Sequence, residues 1–181
     1  MIGVFLDESA DDVREWADGI SFPVLLDRDH LLAELYAFSN VPTVVWIDAD
    51  GAIARPNSAE VGTDMFVDFT GITPDAHMDQ VRQWVRSGIV PDDAEYAVDD
   101  LSDDEVAARL AFRLAAHLRR EGDVERAAHW FAEAGRLAPM DFTVRRAAMP
   151  LQDVDPFGQA FFELFGEWRA AGSPYHGVPR S

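Results

Sequence analysis

The run from Val41 to Ile47 constrains the fold more than any other segment of the chain. It is rich in β-branched and aromatic residues and is apolar on both faces, which is typical of a central strand covered on both sides. The turn signal Asp48-Ala-Asp-Gly51 follows, and residues 52–54 would return as the second arm of a hairpin. The run therefore predicts a sheet whose central strand lies in the first half of the chain.

Strands alternate with helices through this first half. Each predicted strand is a short apolar run, and each predicted helix carries apolar residues on one face at a spacing of three or four. Ser9 is placed to cap the first helix, and Thr73-Pro74 opens the last one, which Gly88 would end. The predicted elements cover residues 2–6, 9–20, 22–26, 31–36, 41–47 and 73–88. This alternation predicts an α/β domain over residues 1–90.

The charge balance narrows the choice of partner. The 181 residues include 33 acidic and 15 basic side chains, all of the basic ones arginine, for a formal net charge of −18. Nucleic acids and anionic membrane surfaces both attract basic surfaces, so neither is an expected partner. No apolar run approaches the roughly 20 residues needed to span a bilayer, and no signal peptide is visible. We therefore expect a cytoplasmic location.

The absence of cysteine restricts the chemistry of the chain. Disulfides, thiolate nucleophiles and thiolate metal sites are excluded from these residues. Two groups of candidate metal ligands, Asp27-x-Asp29-His30 and Asp75-x-His77-x-Asp79, lack the helical His-x-x-x-His spacing of known sites, and acids at helix starts explain both. No phosphate-binding glycine loop and no nucleophile elbow is present. We predict no catalytic residue, no metal and no cofactor.

A family resemblance covers roughly residues 1–88. Four motifs carry it, in this order along the chain: Ile-Gly-Val-x-Leu-Asp near the start, Phe-Pro-Val-Leu-x-Asp at 22–27, Val41-Pro42-Thr43 before the hydrophobic strand, and Asp-x-Asp-Gly after it. Together they resemble the thioredoxin-like fold of TlpA/ResA-type thiol–disulfide oxidoreductases and their redoxin relatives. The resemblance implies that Pro42 is cis and that Val41 and Thr43 flank a groove for a substrate peptide. The alternative is an ordinary trans proline at the first residue of a strand, which is equally allowed.

The resemblance also implies a missing element. In the family, a strand and a helix that carry the redox cysteines precede the equivalent of residues 2–6, and that strand is central to the sheet. Without it, the strands at 2–6 and 41–47 would each keep an edge of unpaired backbone groups. Three alternatives follow: the two strands pair directly, a partner (a second copy included) donates a strand, or the natural protein begins upstream of Met1.

Two functions from different classes fit these features. In the first, the chain is a non-catalytic thioredoxin-like module that binds peptides or proteins through the groove at Val41, Pro42 and Thr43 and through the face of the helical domain. In the second, it is an N-terminally truncated thiol–disulfide oxidoreductase or redoxin whose catalytic cysteine lies upstream of Met1. Because serine and threonine do not exchange disulfides, no residue of this chain can replace that cysteine.

An acidic segment precedes the second half of the chain. Residues 90–105 carry eight acidic side chains and no basic one. A cation site and a solvated linker are both conceivable, and the absence of calcium-loop spacing favours a linker over residues 91–100. Ser102-Asp-Asp-Glu105 then forms a capping box that opens a helix.

The second half, residues 101–172, predicts an all-α domain. Two helices, at about 103–121 and 124–137, match the spacing of a tetratricopeptide repeat at Leu114, Leu118, Gly122, Ala127, Phe131, Ala134 and Pro139. A further helix from Asp141 to Met149 would end at Pro150. An aromatic stripe follows at Phe157, Phe161, Leu164, Phe165 and Trp168. It is either a docking surface or a cap on the repeat, and stripes of this kind are more often core. Residues 173–181 are predicted to be an irregular tail.

Overall fold

The computed structural model describes residues 1–38, 41–58, 67, 73–92 and 100–172. Contacts divide the chain into two compact units. The first consists of Met1–Ser39 and Leu101–Pro174, and the second of Asn40–Asp100 and Tyr175–Ser181. Most of the predicted acidic linker and all of the predicted tail lie outside the described residues.

The first unit begins with a βαβα segment. Its elements are β1 (Gly3–Phe5), α1 (Ala10–Ala17), β2 (Val24–Leu26) and α2 (Leu31–Leu35). β1 and β2 pair in parallel, with Gly3 opposite Val24. The Ser9 hydroxyl accepts a hydrogen bond from the Asp12 N–H at 3.3 Å, so Ser9 caps α1 as the sequence predicts.

The described part of the second unit contains a hairpin and a helix. Its elements are β3 (Val44–Ile47), β4 (Ile53–Ser58) and α3 (Pro74–Ser87). The Asp48 carboxylate closes the hairpin turn by accepting hydrogen bonds from the Asp50 and Ala52 N–H groups, both at 2.9 Å. α3 has Thr73 as its N-cap and ends at Gly88, whose φ of 70° suits a residue without a Cβ.

The helical part of the first unit is built around one antiparallel pair. Its elements are α4 (Asp103–Arg120), α5 (Val124–Leu137), α6 (Phe142–Arg145), a 3₁₀ turn (Pro150–Gln152) and α7 (Gln159–Ala170). The capping box between Ser102 and Glu105 opens α4 as predicted. Phe112 and Phe131 meet edge to face in the core, with ring centroids 5.7 Å apart. Buried alanines surround them, which lets the helix backbones approach closely: Ala108, Ala111, Ala115, Ala116, Ala127 and Ala134.

One helix is shorter in the structure than the sequence predicts. The predicted helix from Asp141 to Met149 is α6, which covers only Phe142–Arg145. Beyond it the chain forms turns, in which the Ala148 N–H donates a hydrogen bond to the Val144 carbonyl at 3.1 Å. The described strands form two two-stranded sheets, β1–β2 in the first unit and β3–β4 in the second. Contacts group residues 1–39 with the helical residues 101–174 and place residues 40–100 in the other unit. The reason for this division is that the first 39 residues pack with the helices.

Candidate functional site

The three predicted groove residues immediately precede β3. The Val41–Pro42 peptide bond is cis, as the family resemblance implies. Val41 is 44% exposed and Pro42 is also exposed, whereas Thr43 is half-buried. The side chains at this entry to β3 are therefore accessible to a partner.

β3 pairs along one of its two edges with a described strand. β4 occupies the other edge in an antiparallel register, with Val44 opposite Ser58 and Ile47 opposite Ile53. Among the strands that the structure describes, none pairs with β3 on the side away from β4. A strand at the edge of a sheet has backbone N–H and C=O groups with which a strand from another chain can form hydrogen bonds. Val41, Pro42 and Thr43 immediately precede this strand in the sequence.

A buried aromatic cluster fixes the position of β3. Trp46 is buried and stacks on Trp84 of α3, with centroids 5.0 Å apart and an interplanar angle of 22°. The guanidinium carbon of Arg55, on β4, lies 5.2 Å from the centroid of the Trp46 ring system. The buried His77 ring is 6.5 Å from Trp46. Stacking and cation–π attraction at Trp46 thus connect β3 to α3 and to β4.

The first candidate metal group has other roles in the structure. The Asp27 carboxylate accepts hydrogen bonds from three N–H groups at the start of α2, those of Leu31 (2.9 Å), Leu32 (2.8 Å) and Ala33 (3.1 Å). The Asp29 carboxylate pairs with Arg120, and the Nε2 atom of the buried His30 bonds to the Leu6 carbonyl at 3.1 Å. Helix capping therefore accounts for Asp27, as the sequence suggests.

The second candidate metal group is also dispersed. Asp75 lies in the first turn of α3, His77 is buried against Trp46, and Asp79 pairs with Arg82 at 2.8 Å. Within the described ranges, no three His, Asp or Glu side chains come close enough to hold a metal ion.

Sequence reasoning missed a buried charge network in the first unit. Arg109 of α4 donates to the Asp141 carboxylate at 3.0 Å, to the Glu34 backbone carbonyl at 2.6 Å and to the Thr143 hydroxyl at 2.9 Å. The Glu34 carboxylate in turn accepts two hydrogen bonds from Arg113, at 2.5 and 3.2 Å, which raise the pKa of Arg113. Glu34 and Asp141 are both buried.

A sequence signal for this network existed. Arg109 and Arg113 are four residues apart in a helical segment, residues 106–116, whose other members are all apolar. That spacing places both guanidinium groups on the same face of α4. The network joins α2 to α4 and α6, which explains why the first 39 residues belong to the same unit as the helices.

The aromatic stripe is mainly a cap. Phe161, Phe165 and Trp168 of α7 all pack on Phe142 of α6, with centroid distances of 6.3, 6.4 and 5.0 Å. The Arg146 guanidinium lies 4.5 Å from the Phe161 ring centroid, and burial lowers the pKa of Arg146. These three aromatic residues therefore cap the helical part, as the core interpretation predicts. Phe157 of the stripe is exposed, and so is Phe162, which lies outside the stripe.

The comparisons with known proteins provide no relative for this chain. No family model matches it, and neither the curated proteins nor the solved structures contain a significant match. Among the described helices, none has the length and apolar composition that crossing a membrane requires.

Proposed function

We propose that this chain is a cysteine-free, thioredoxin-like module that binds an extended segment of another protein along β3. The bound segment would pair with the edge of β3 away from β4 and contact Val41, Pro42 and Thr43 at the strand entry. The observation that carries the proposal is the edge itself, since the described strands leave it without a partner. Recognition by strand addition uses backbone hydrogen bonds for affinity and exposed side chains for specificity.

The anchoring of β3 supports this proposal. Trp46 stacks on Trp84 and lies within cation–π distance of Arg55, so the strand is already ordered by its own packing. A preformed edge reduces the conformational entropy that binding would otherwise cost. The exposed side chain of Val41 then supplies apolar contact next to the backbone hydrogen bonds.

The chemistry of the chain is consistent with binding rather than turnover. With no cysteine, its own residues have no thiolate for disulfide exchange or peroxide reduction. The thioredoxin-like fold and the cytoplasmic location belong to the proposal and rest on the sequence patterns alone.

A selection experiment tests this function. Short random peptides displayed on phage would be selected on the wild-type chain and then measured on the variants Val41→Glu and Ile53→Glu. Ile53 is the matched control, because it lies in the same hairpin and is 53% exposed but sits on β4. We expect Val41→Glu to weaken binding at least tenfold and Ile53→Glu to leave it unchanged. Equal binding to all three proteins would contradict the proposal.

The selected peptides allow a second, independent test. In strand addition, alternate peptide N–H groups point towards the protein, so N-methylation of every second residue should abolish binding in one phase and spare it in the other. Peptides that tolerate N-methylation in both phases would bind by another mode.

A further inference from the structure

A cleft in the first unit lies between α5, α6 and the 3₁₀ turn that follows α6. Its volume is about 370 Å³, near the lower end of the roughly 300–1,000 Å³ that is typical of sites for small molecules. The buried side chains of Phe131 and Val144 contribute apolar surface to its lining, and Gln152 contributes an amide. The cleft is therefore large enough for a small organic molecule with an apolar part.

The charged residues that line this cleft are both cations. Arg136 of α5 and Arg145 of α6 belong to its lining, and none of its lining residues, all of which lie in the described part of the chain, is acidic. The chain as a whole has the opposite balance, with 33 acidic and 15 basic side chains. A cleft lined by one sign of charge concentrates ligands of the other sign, so this one favours an anion.

Arg145 has N–H groups that the rest of the described chain does not use. Its Nη1 atom donates to the Pro139 carbonyl at 2.8 Å, whereas a guanidinium has five N–H donors. Most described arginines pair with a carboxylate, but within the described ranges Arg145 has no such partner. Arg28 and Arg86 also have none there, yet they are exposed to water, whereas Arg145 is half-buried. A partly desolvated cation of this kind gains from an anionic ligand.

Gly135 makes room for the Arg145 side chain on α5. It lies within this helix, where glycine is less favourable than alanine. A Cβ at position 135 would be 2.9 Å from Cδ and 3.4 Å from Nε of Arg145. The guanidinium is therefore positioned by its packing on Gly135 and by its hydrogen bond to the Pro139 carbonyl. A cation that is already positioned loses less conformational entropy when a ligand binds.

We propose that this cleft binds a carboxylate ligand, with the Arg145 guanidinium as its anchor. The Nε and Nη2 N–H groups, which the Pro139 carbonyl does not use, can donate two parallel hydrogen bonds to one carboxylate. Phe131 and Val144 then contact the carbon chain beside it. Arg136 adds positive charge, but its guanidinium already donates to Glu133 at 2.7 and 2.8 Å. The site shares no residue with β3, so this inference does not depend on the proposed function.

An NMR titration of the isotope-labelled chain with sodium butyrate is the first test. Physiological ionic strength is suitable, because the Debye length of about 8 Å then limits repulsion of the anion by the acidic chain. Butanol and butylammonium chloride have the same carbon chain without the carboxylate. We expect butyrate to shift the Gly135 amide and the Arg145 Nε–H resonances in a saturable way, and the other two compounds to leave them unchanged. No saturable shift with butyrate, or an equal shift with butanol, would overturn the inference.

Variants of the anchor test its role. Arg145→Gln should weaken butyrate binding by about tenfold or more, because it removes charge-assisted hydrogen bonds. Arg145→Lys keeps the charge but lacks the planar pair of donors, so its affinity should be intermediate. Arg126→Gln is the control, since Arg126 is on α5 but forms a surface pair with Asp123; this variant should bind as the wild type does. Wild-type affinity in Arg145→Gln would show that the cleft is not the site.

Gly135→Ala provides a test that keeps the guanidinium in the chain. The added methyl group displaces the Arg145 side chain from α5, so butyrate binding should weaken although alanine suits a helix better than glycine. Circular dichroism checks that each variant is folded. A folded Gly135→Ala variant with unchanged affinity would contradict the proposed position of the anchor.

Small organic acids and peptide C termini present the same carboxylate, and a peptide pair distinguishes them. A hydrophobic tripeptide is titrated with its C terminus either free or amidated. Tighter binding of the free tripeptide than of butyrate would assign the site to a peptide C terminus, and tighter binding of butyrate would assign it to a small acid. An amidated tripeptide that binds as tightly as the free one would contradict recognition of a carboxylate.

Discussion

Arg109 of α4 and Asp141 at the start of α6 form a buried ion pair, with Nη2 and Oδ2 3.0 Å apart. Asp141 also caps α6 by accepting the Thr143 N–H at 2.8 Å. The carboxylate therefore has a helix-capping role and a charge partner, both away from water. Because the same guanidinium reaches the Glu34 carbonyl, one side chain ties the N-terminal segment to the helical part.

Removal of this guanidinium should be costly. Arg109→Ala leaves the buried Asp141 carboxylate without its cation, and we expect a loss of about 3–5 kcal/mol in unfolding free energy, as is typical when one partner of a buried pair is removed. Arg126→Ala is the control, since its pair with Asp123 is on the surface and is worth about 0–1 kcal/mol. Urea unfolding followed by circular dichroism measures both. Similar midpoints for the two variants would show that the buried network contributes little.

Trp46 should be the main anchor of the hairpin. Trp46→Ala removes the ring stacked on Trp84 and opens a cavity, so we expect a loss of about 3–5 kcal/mol. Trp16→Ala serves as the control, because Trp16 is largely exposed and its loss should change stability by no more than about 0.5 kcal/mol. Hydrogen exchange of the β3 amides reports on the hairpin specifically. Unchanged exchange in Trp46→Ala would contradict this role.

The pKa of Glu133 should depend on Arg136. Two hydrogen bonds from the Arg136 guanidinium, at 2.7 and 2.8 Å, lower the pKa of the Glu133 carboxyl. A carboxyl with a lowered folded-state pKa adds stability above its unfolded-state pKa, and that stability is lost as the pH falls through the folded-state value. We expect Arg136→Gln to raise the pKa of Glu133 towards the ordinary glutamate range in an NMR titration. An unshifted titration curve would exclude the pair as the cause.

Thiol chemistry should be absent from the chain itself. We expect no reduction of insulin disulfides and no peroxidase turnover above a protein-free blank, because the 181 residues contain no cysteine. Dithiothreitol-dependent turnover by the purified chain, well above the blank, would refute this prediction.

The sequence predicted local elements well because their signals are local. Ser9 and the Ser102–Glu105 capping box each begin a helix, and Gly88 ends one, at the positions predicted from the sequence. The partition into units was not predicted, since it depends on pairs such as Glu34 with Arg113, which are 79 residues apart. No periodicity or propensity encodes such a contact, whereas burial of an unpaired Glu34 would be prohibitive. The thioredoxin-like assignment remains a prediction.

The candidate site was predictable only in part. The motif around Pro42 drew attention to the entry of β3, and the hairpin with β4 was visible from Asp48 and Gly51. The stack of Trp46 with Trp84 was not, because it joins a strand to a helix 38 residues away and depends on how α3 packs. Strand pairing between distant segments likewise depends on tertiary packing rather than on local pattern.

The most direct test of strand binding is amide hydrogen exchange of β3, with and without a peptide selected on the wild-type chain. The account predicts that the β3 amides facing away from β4 exchange rapidly in the free protein and become protected when the peptide is added, while the amides bonded to β4 change little. If those outward amides are already protected in the free chain, or stay unprotected with the peptide bound, then β3 does not receive a strand and the proposed function is wrong.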